Sequence, residues 1–369
     1  MERPPSQLTP LDELYLQRAY ELAGRGVGNT APNPPVGAVL VREGRIVGEG
    51  YHRRAGAAHA EVDALREAAA AARGATLYVS LEPCGHIGRT PPCTRALLEA
   101  GVARVVAGTL DPTEHGGGAQ LRQRGIEVVV AGDATAKALI EPFARSSVRR
   151  RPYLAVKMAM SLDGAVASEP GVREPLGSEA ERSYVRELRT GYDAVMAGAG
   201  TIRIDDPLLT VRPLHDRARP YVRIVACETD GVPETSRVFA PARGYDTTIV
   251  LAPDALRPRL CALAEVAEVL VVGEADAQTL DLCAAMEALR SRGVFSVLCE
   301  GGPKLAAGLI TSGLADRFYW AVAPRFLHSD RAVPVLRGVD VAVRAVRARF
   351  DGVQRVGDDV VLSGTFGDV

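Results

Sequence analysis

Three ligand-type side chains, His59, Cys84 and Cys93, place the tightest demand on how this chain can fold. One imidazole and two thiolates can hold a Zn²⁺ ion and leave its fourth tetrahedral position to water. They can do so only if the backbone gathers residues scattered between positions 59 and 93. The surrounding sequence supplies the means. His59 opens an Ala-, Leu- and Glu-rich stretch that predicts a helix to about Arg73, and Cys93 opens a second, to Ala100. Cys84 follows a strand-like run from Ala75 to Ser80. Helix N-termini favour thiolate over thiol, because the positive end of the dipole stabilises an anion. Two helix starts beside a strand end can therefore converge on one cation. Zn²⁺ lowers the pKa of its water from about 15.7 toward roughly 7. Glu61, two residues past His59, is placed to carry protons to and from that water.

The stretches around this set predict an α/β domain. Thr9-Pro10-Leu11-Asp12-Glu13 combines a capping hydroxyl, a first-turn proline and acids, predicting a helix to about Gly24. Val36 to Val41 and Arg45 to Gly48 are apolar runs joined through Glu43-Gly44, a hairpin. Further strands are expected at Arg104 to Gly108 and Ile126 to Ala131. The resulting β-β-α-β-α-β order indicates a mostly parallel sheet. Ser146 to Pro152 is polar, basic and ends in proline, so it reads as a linker whose three arginines are a solvated charge run. A second α/β pattern begins at Tyr153. Its strands are expected at Tyr153 to Ala159, Ala194 to Gly198, Tyr221 to Ala226, Thr247 to Leu251, Val269 to Val272 and Phe295 to Cys299. Helices are expected at Ser178 to Arg189, Gln278 to Arg290 and Lys304 to Ser312, with closing strands at Phe318 to Ala323 and Val360 to Gly364. The expected domains are residues 1–147 and 153–369.

Composition narrows the partners. The 369 residues suggest two domains, or three. A net charge of −1 and an aromatic content of 5% speak against bulk nucleic-acid or anionic-membrane binding and against base-stacking platforms. No apolar run is long enough for a transmembrane helix, and Met1 to Pro10 is not a secretory signal. Cys227, Cys261, Cys283 and Cys299 sit in apolar stretches and read as small buried hydrophobes. Cys84 and Cys93, among Gly, Pro and His, suit a metal in a reducing compartment, so a cytoplasmic location is expected.

The ligand set with its glutamate follows the pattern of zinc-dependent nucleobase deaminases, where the glutamate is an acid/base and not a ligand. A core histidine with two structural cysteines would leave the glutamate offset and the Pro83-Cys84 context unexplained. The resemblance becomes specific in the stretch between the cysteines. Glu82-Pro83-Cys84, His86 and Gly88-Arg89-Thr90-Pro91-Pro92-Cys93 resemble the deaminase half of the bifunctional riboflavin-biosynthesis deaminase/reductase family. Pro32-Asn33-Pro34-Pro35-Val36-Gly37-Ala38-Val39 and Gly48-Glu49-Gly50-Tyr51-His52 match upstream motifs of that family. The likeness continues through Lys157 to Gly164, Asp205 to Arg212 and Glu300-Gly301-Gly302-Pro303, nearly the whole chain.

The resemblance implies a cytidine-deaminase-like N-terminal domain and a dihydrofolate-reductase-like C-terminal domain. It implies deamination of 2,5-diamino-6-ribosylamino-4(3H)-pyrimidinone 5′-phosphate, then reduction of the ribosyl chain to ribityl with NADPH. The implied metal ligands are His59, Cys84 and Cys93, with Glu61 as acid/base. Asn33, His52, His86, Arg89 and Thr90 match positions that contact the deaminase substrate, and Arg89 would suit its phosphate. Ala159, Thr201, Asp205, Gly302, Pro303, Lys304 and Leu305 match cofactor-contacting positions. Arg189, Leu209, Arg212 and Glu300 match positions that contact the reductase substrate. Gly301-Gly302 before a helix fits an anion-binding turn. The partner implied is a small pyrimidine ribotide, and the chain is expected to form a homo-oligomer, a dimer or a tetramer.

Several residues depart from the family pattern. Where the family carries Ser-x-Trp-Ile-Thr, this chain has Arg173-Glu174-Pro175-Leu176-Gly177, and its only tryptophan, Trp320, lies elsewhere. Cys227-Glu228 replaces Asp-Ser or Asp-Thr, and a carboxylate beside a cofactor phosphate repels it. These changes predict weak or absent NADPH binding. They motivate a rival reading, a deaminase with a retired reductase domain, in the riboflavin pathway or a diverted specialised-metabolite pathway. A nucleic-acid deaminase is the second rival, disfavoured by charge and by the Gly88 to Cys93 motif. After Asp111-Pro112 the stretch Thr113-Glu114-His115-Gly116-Gly117-Gly118 is shorter than expected. His115 reads as a loop residue, because His59, Cys84 and Cys93 already complete a three-ligand catalytic site.

Overall fold

The structure, a computed structural model, describes residues 8–88, 91–211, 217–228, 231–338 and 346–367. The chain divides into two compact units, Met1–Arg149 and Arg150–Val369.

The first unit runs α1 (Pro10–Gly24), β1 (Gly37–Arg42), β2 (Arg45–Tyr51), α2 (Ala60–Ala68), β3 (Thr76–Leu81), α3 (Cys93–Ala100), β4 (Arg104–Thr109), α4 (Gly118–Gln123), β5 (Glu127–Val130) and α5 (Ala134–Arg149). Its five strands lie in the order β2-β1-β3-β4-β5. The hairpin is antiparallel, β1 pairs antiparallel with β3, and β3-β4-β5 are parallel. Strand alternation explains the layers. Ala38, Leu40, Leu77, Val79 and Val105 face one way and pack with Ala64 and Leu97 of α2 and α3. Val39, Val41, Tyr78 and Val106 face the other way and pack with Leu16 and Ala19 of α1 and Ala136 of α5. The expected capping hydroxyl is in place and forms half of a capping box: the Thr9 hydroxyl takes the Asp12 amide, and the Asp12 carboxylate takes the Thr9 amide at 2.9 Å. Asp12 is 2% exposed. It also accepts from the Tyr78 hydroxyl at 2.8 Å and the Arg104 guanidinium at 2.7 Å, fastening α1 across β3 and β4. Burial pushes its carboxyl up, but Arg104, Thr9 and Tyr78 together outweigh that and hold it well below the usual range.

Glycines in β2 let α2 sit close to the sheet. A side chain at Gly50 would strike the Ala60 carbonyl, and one at Gly48 the Ala64 carbonyl. The start of α2, and with it His59 and Glu61, is thereby pressed onto the hairpin.

The second unit runs β6 (Tyr153–Met160), β7 (Ala165–Ala167), α6 (Glu179–Thr190), β8 (Ala194–Gly198), α7 (Ala199–Asp205), β9 (Val222–Ala226), β10 (Ile249–Ala252), α8 (Leu260–Leu263), β11 (Glu268–Val271), α9 (Leu282–Ser291), β12 (Ser296–Cys299), α10 (Pro303–Thr311), β13 (Arg317–Val322), β14 (Val333–Pro334), β15 (Ala348–Val356) and β16 (Asp359–Phe366). Nine strands form one sheet in the order β11-β10-β9-β8-β12-β6-β13-β16-β15. Pairings from β11 through β13 are parallel, and the last two are antiparallel. The late strand β12 is inserted between the earlier β6 and β8, so their carboxyl ends open a crevice of the kind that binds ligands in parallel sheets.

Four expectations need correction. The segment expected as a linker from Ser146 is helical to Arg149. Asp133 accepts the Thr135 and Ala136 amides at the start of α5, Ser146 is buried, and Arg149 sits at the helix end that favours a cation. Arg151 is not a solvated charge. Its guanidinium forms two hydrogen bonds to the buried Asp316, at 2.9 and 3.1 Å. Cys261 and Cys283 are exposed, whereas Cys227 and Cys299 are buried. The helix expected to reach Arg73 ends at Ala68 and continues only as a 3₁₀ turn, with Ala69 at a φ of +46°.

Candidate active site

The first unit brings the predicted ligands together. His59 caps α2, Cys93 opens α3, and Cys84 follows β3 in a loop bridged to Gly116. Among the described residues their ligand atoms all lie within 4.8 Å of one another. His59 Nδ1 is 3.2 Å from Cys93 Sγ and 3.6 Å from Cys84 Sγ. Tetrahedral Zn²⁺ with ordinary bond lengths sets nitrogen and sulfur about 3.6 Å apart. The donor set therefore fits zinc. The Cys93 thiol, the His59 imidazole and the Cys93 amide, which donates to Cys84 Sγ at 3.4 Å, together draw the Cys84 thiol down.

Glu61 stands in the first turn of α2 and is 3% exposed. Burial is the largest influence on it and pushes its carboxyl up, toward a group that can hold as well as release a proton. His52 is 2% exposed. Its Nδ1 lies 2.9 Å from the Ala58 carbonyl, which can only accept, and its Nε2 lies 3.1 Å from the Asn33 amide nitrogen, which can only donate. These two contacts fix one neutral tautomer, and burial lowers its affinity for a second proton. A cavity of about 320 Å³ opens over these groups, lined by Asn33, His52, His59, Glu61, Cys84 and His86. Arg89 and Thr90 lie outside the described residues. Phe143 of α5, Thr113 and His115 also line the cavity and were not foreseen as site residues.

The second unit carries a cleft of about 650 Å³ at the carboxyl ends of β6, β8, β9 and β12. Ala159, Thr201, Asp205, Glu300 and Gly302-Pro303-Lys304-Leu305 all line it. Its wall is glycine-rich: no atom stands within 4 Å of where a Gly200 side chain would begin, and one at Gly302 would meet Thr201 Oγ1. That leaves backbone near the start of α10 approachable by a phosphate-bearing cofactor. Arg189 reaches Glu300 through two hydrogen bonds, Nε at 2.5 Å and Nη2 at 2.7 Å, and gives Nη1 to the Thr210 carbonyl at 2.6 Å. Leu209 is buried in the core beneath and does not line the cleft. Arg212 lies outside the described residues. The Tyr245 hydroxyl, not foreseen, accepts from the Val211 amide and anchors the stretch that leads to Arg212.

Two of the residues that depart from the motifs, Glu228 and Arg173, stand beside opposite charges. Glu228 does line the cleft, but its carboxylate is 2.5 Å from Lys304 Nζ, so the pair is neutral. Arg173 lies 3.5 Å from Asp205. The repulsion expected from Glu228 alone is thus offset by a lysine that sequence order places far away.

The Cytidine and deoxycytidylate deaminase zinc-binding region matches residues 9–109, and the RibD C-terminal domain matches residues 152–362. The riboflavin biosynthesis protein RibD of Escherichia coli is 38% identical over 370 residues, covering 95% of this chain and 98% of that protein. The solved deaminase/reductase of Thermotoga maritima, named for diaminohydroxyphosphoribosylaminopyrimidine and 5-amino-6-(5-phosphoribosylamino)uracil, superposes with a TM-score of 0.82 at 32% identity, over 97% of this chain and 99% of that one. RibD of Acinetobacter baumannii superposes with a TM-score of 0.82 at 31% identity, over 97% and 99%. No helix of the described residues is long and apolar enough to cross a membrane.

Proposed function

The chain belongs to the RibD family, and from that premise we propose a two-step function. The first unit hydrolytically deaminates 2,5-diamino-6-ribosylamino-4(3H)-pyrimidinone 5′-phosphate to 5-amino-6-ribosylamino-2,4-pyrimidinedione 5′-phosphate. The second reduces the ribosyl chain of that product to ribityl with NADPH. The carrying observation is that both sites are assembled in one chain: the ligand triad with buried Glu61, and the glycine-walled cleft with its neutral Glu228–Lys304 pair. The likeness to RibD covers both halves, so nothing favours the deaminase-only rival.

His59, Cys84 and Cys93 hold zinc in this reading, and zinc supplies a water acidic enough to ionise near neutral pH. Glu61 takes the water proton and returns protons to a ring nitrogen and to the departing ammonia. Its burial keeps it close to both tasks. His52, locked neutral, holds Asn33 through the amide nitrogen and leaves the Asn33 carbonyl oxygen free to accept from the pyrimidine edge. His86 completes the substrate wall, and the resemblance assigns Arg89 and Thr90 to substrate contact. NADPH supplies a hydride when bound. Ala159, Thr201, Asp205 and Gly302 to Leu305 hold it, while Glu300, paired with Arg189, faces the substrate, and the resemblance assigns Arg212 to the substrate as well. The Met1–Arg149 and Arg150–Val369 units carry the two activities, in a cytoplasmic homo-oligomer acting on a small pyrimidine ribotide.

The test is Glu61→Gln. It should keep a full equivalent of zinc by elemental analysis and lose deamination by at least about 10²-fold, the usual contribution of general acid–base catalysis. Loss of the metal from this variant would mean that Glu61 is a ligand and that the assigned roles are wrong.

A further inference from the structure

We propose that His115 is a specificity-determining residue of the deamination step, donating an imidazole N–H to the 5′-phosphate of the ribotide at the mouth of the metal-site cavity. The proposal rests on the deaminase reading of that cavity and adds a residue to it.

The cavity is graded. Its inner wall is formed by buried groups, Glu61 and His52, with Cys84 and His59 beside them, whereas His86, Gly88 and His115 are exposed at its rim. A pyrimidine whose amino-bearing carbon reaches the inner groups must leave its phosphorylated ribose at that rim. There the imidazoles of His115 and His86 stack face to face, with ring centroids 4.0 Å apart and planes 27° apart. Each ring supports the other, and both line the cavity.

The loop that carries His115 is built to hold it there. The Glu82 carboxylate accepts the Asp111 amide at 3.1 Å and the Gly118 amide at 2.9 Å, clasping both ends of the loop. The Gly85 amide donates to the His115 carbonyl at 2.8 Å, and the Gly117 amide to the Pro83 carbonyl at 2.8 Å. Side chains at Gly116 or Gly118 would collide with the Glu82 carboxylate, and one at Gly117 with Thr94. The three glycines thus let a short loop lie flat on the metal-ligand loop. Two carboxylates line the same cavity, Glu82 and Asp111. Both are engaged: Glu82 with the amides above, Asp111 with the Thr113 amide and hydroxyl at 2.8 and 2.6 Å. A phosphate at the rim therefore meets imidazole donors, with the nearby acids already committed.

The test measures binding by calorimetry on the full-length, zinc-loaded protein in the Glu61→Gln background, which removes turnover. The probes are the pyrimidine ribotide and the same riboside without its phosphate. His115→Ala should weaken the ribotide about tenfold, the scale of one hydrogen bond to a charged group. It should change riboside affinity less than twofold and leave zinc content intact. His115→Phe keeps a stacking ring without the N–H and should lose as much ribotide affinity as alanine. Equal losses for ribotide and riboside, or full recovery with phenylalanine, would overturn the proposal. Failure of the wild-type protein to release ammonia from the ribotide would sink the deaminase reading instead, while the calorimetric comparison would still decide the role of His115.

Discussion

Glu300→Gln is the most informative single change in the second unit. The Arg189 and Glu300 side chains are only 14% and 12% exposed, and they share two short hydrogen bonds. Burial pulls the Arg189 guanidinium down, but the Glu300 carboxylate more than compensates and holds it above its ordinary value. Glutamine keeps one oxygen in place and removes the charge, leaving a buried cation with no counter-ion. Removing one member of a buried pair costs about 3–5 kcal/mol. The residual exposure and the retained oxygen put this case at the lower end, about 3 kcal/mol. A unit of this size loses roughly 2–4 °C of melting temperature per kcal/mol, so its transition should fall by about 6–12 °C. Arg189→Met combined with Glu300→Leu leaves no charge to bury and should recover much of that loss. Scanning calorimetry of the full chain reads both, and the transition of the second unit is the one that NADPH raises, because a ligand stabilises the state it binds. A fall below about 3 °C for Glu300→Gln, or a double variant at least as unstable, would show that this is not a buried pair holding the cleft.

Four further outcomes are expected. Cys84→Ala should drop zinc well below one equivalent by elemental analysis, and undiminished metal would remove Cys84 from the ligand set. Asp12 is held below its unfolded value, so its contribution to stability is complete above about pH 4 and is lost as the pH falls further. Asp12→Asn should flatten the acid limb of stability measured by urea unfolding, and an unchanged limb would contradict the assignment. Lys304→Ala leaves Glu228 unpaired on the cleft wall and should weaken NADPH by about five- to tenfold, for a repulsion on the order of 1 kcal/mol. Glu228→Gln should tighten NADPH, and fluorescence titration showing neither shift would mean that the pair lies away from the cofactor.

Much of the molecule was legible because its signals are local. The Thr9 cap, the Glu43-Gly44 hairpin and the start of α3 at Cys93 are set by neighbouring residues, and they stand where the sequence predicted. The metal triad was legible because its three ligands sit at element ends that the pattern already located. What failed was set by partners distant in sequence. Arg151 looks solvated until the buried Asp316 is beside it, and Glu228 looks repulsive until Lys304 is. Strand β15 was missed because almost all of its residues are exposed, so no apolar alternation marks it. His115 gave no signal beyond its loop, since the stack on His86 depends on how two loops are clasped by Glu82.

The most direct test follows both products from one incubation. Purified zinc-loaded protein is given the diamino pyrimidine ribotide, first without NADPH and then with it, while ammonia, NADPH oxidation and product mass are measured. One ammonia per substrate and the deaminated ribosyl compound are expected in the first stage, then one NADPH oxidised per ribityl product in the second. Ammonia release with no NADPH oxidation would contradict the reading of the cleft as a working reductase. NADPH oxidation with no ammonia would contradict the reading of His59, Cys84, Cys93 and Glu61 as a deaminase centre.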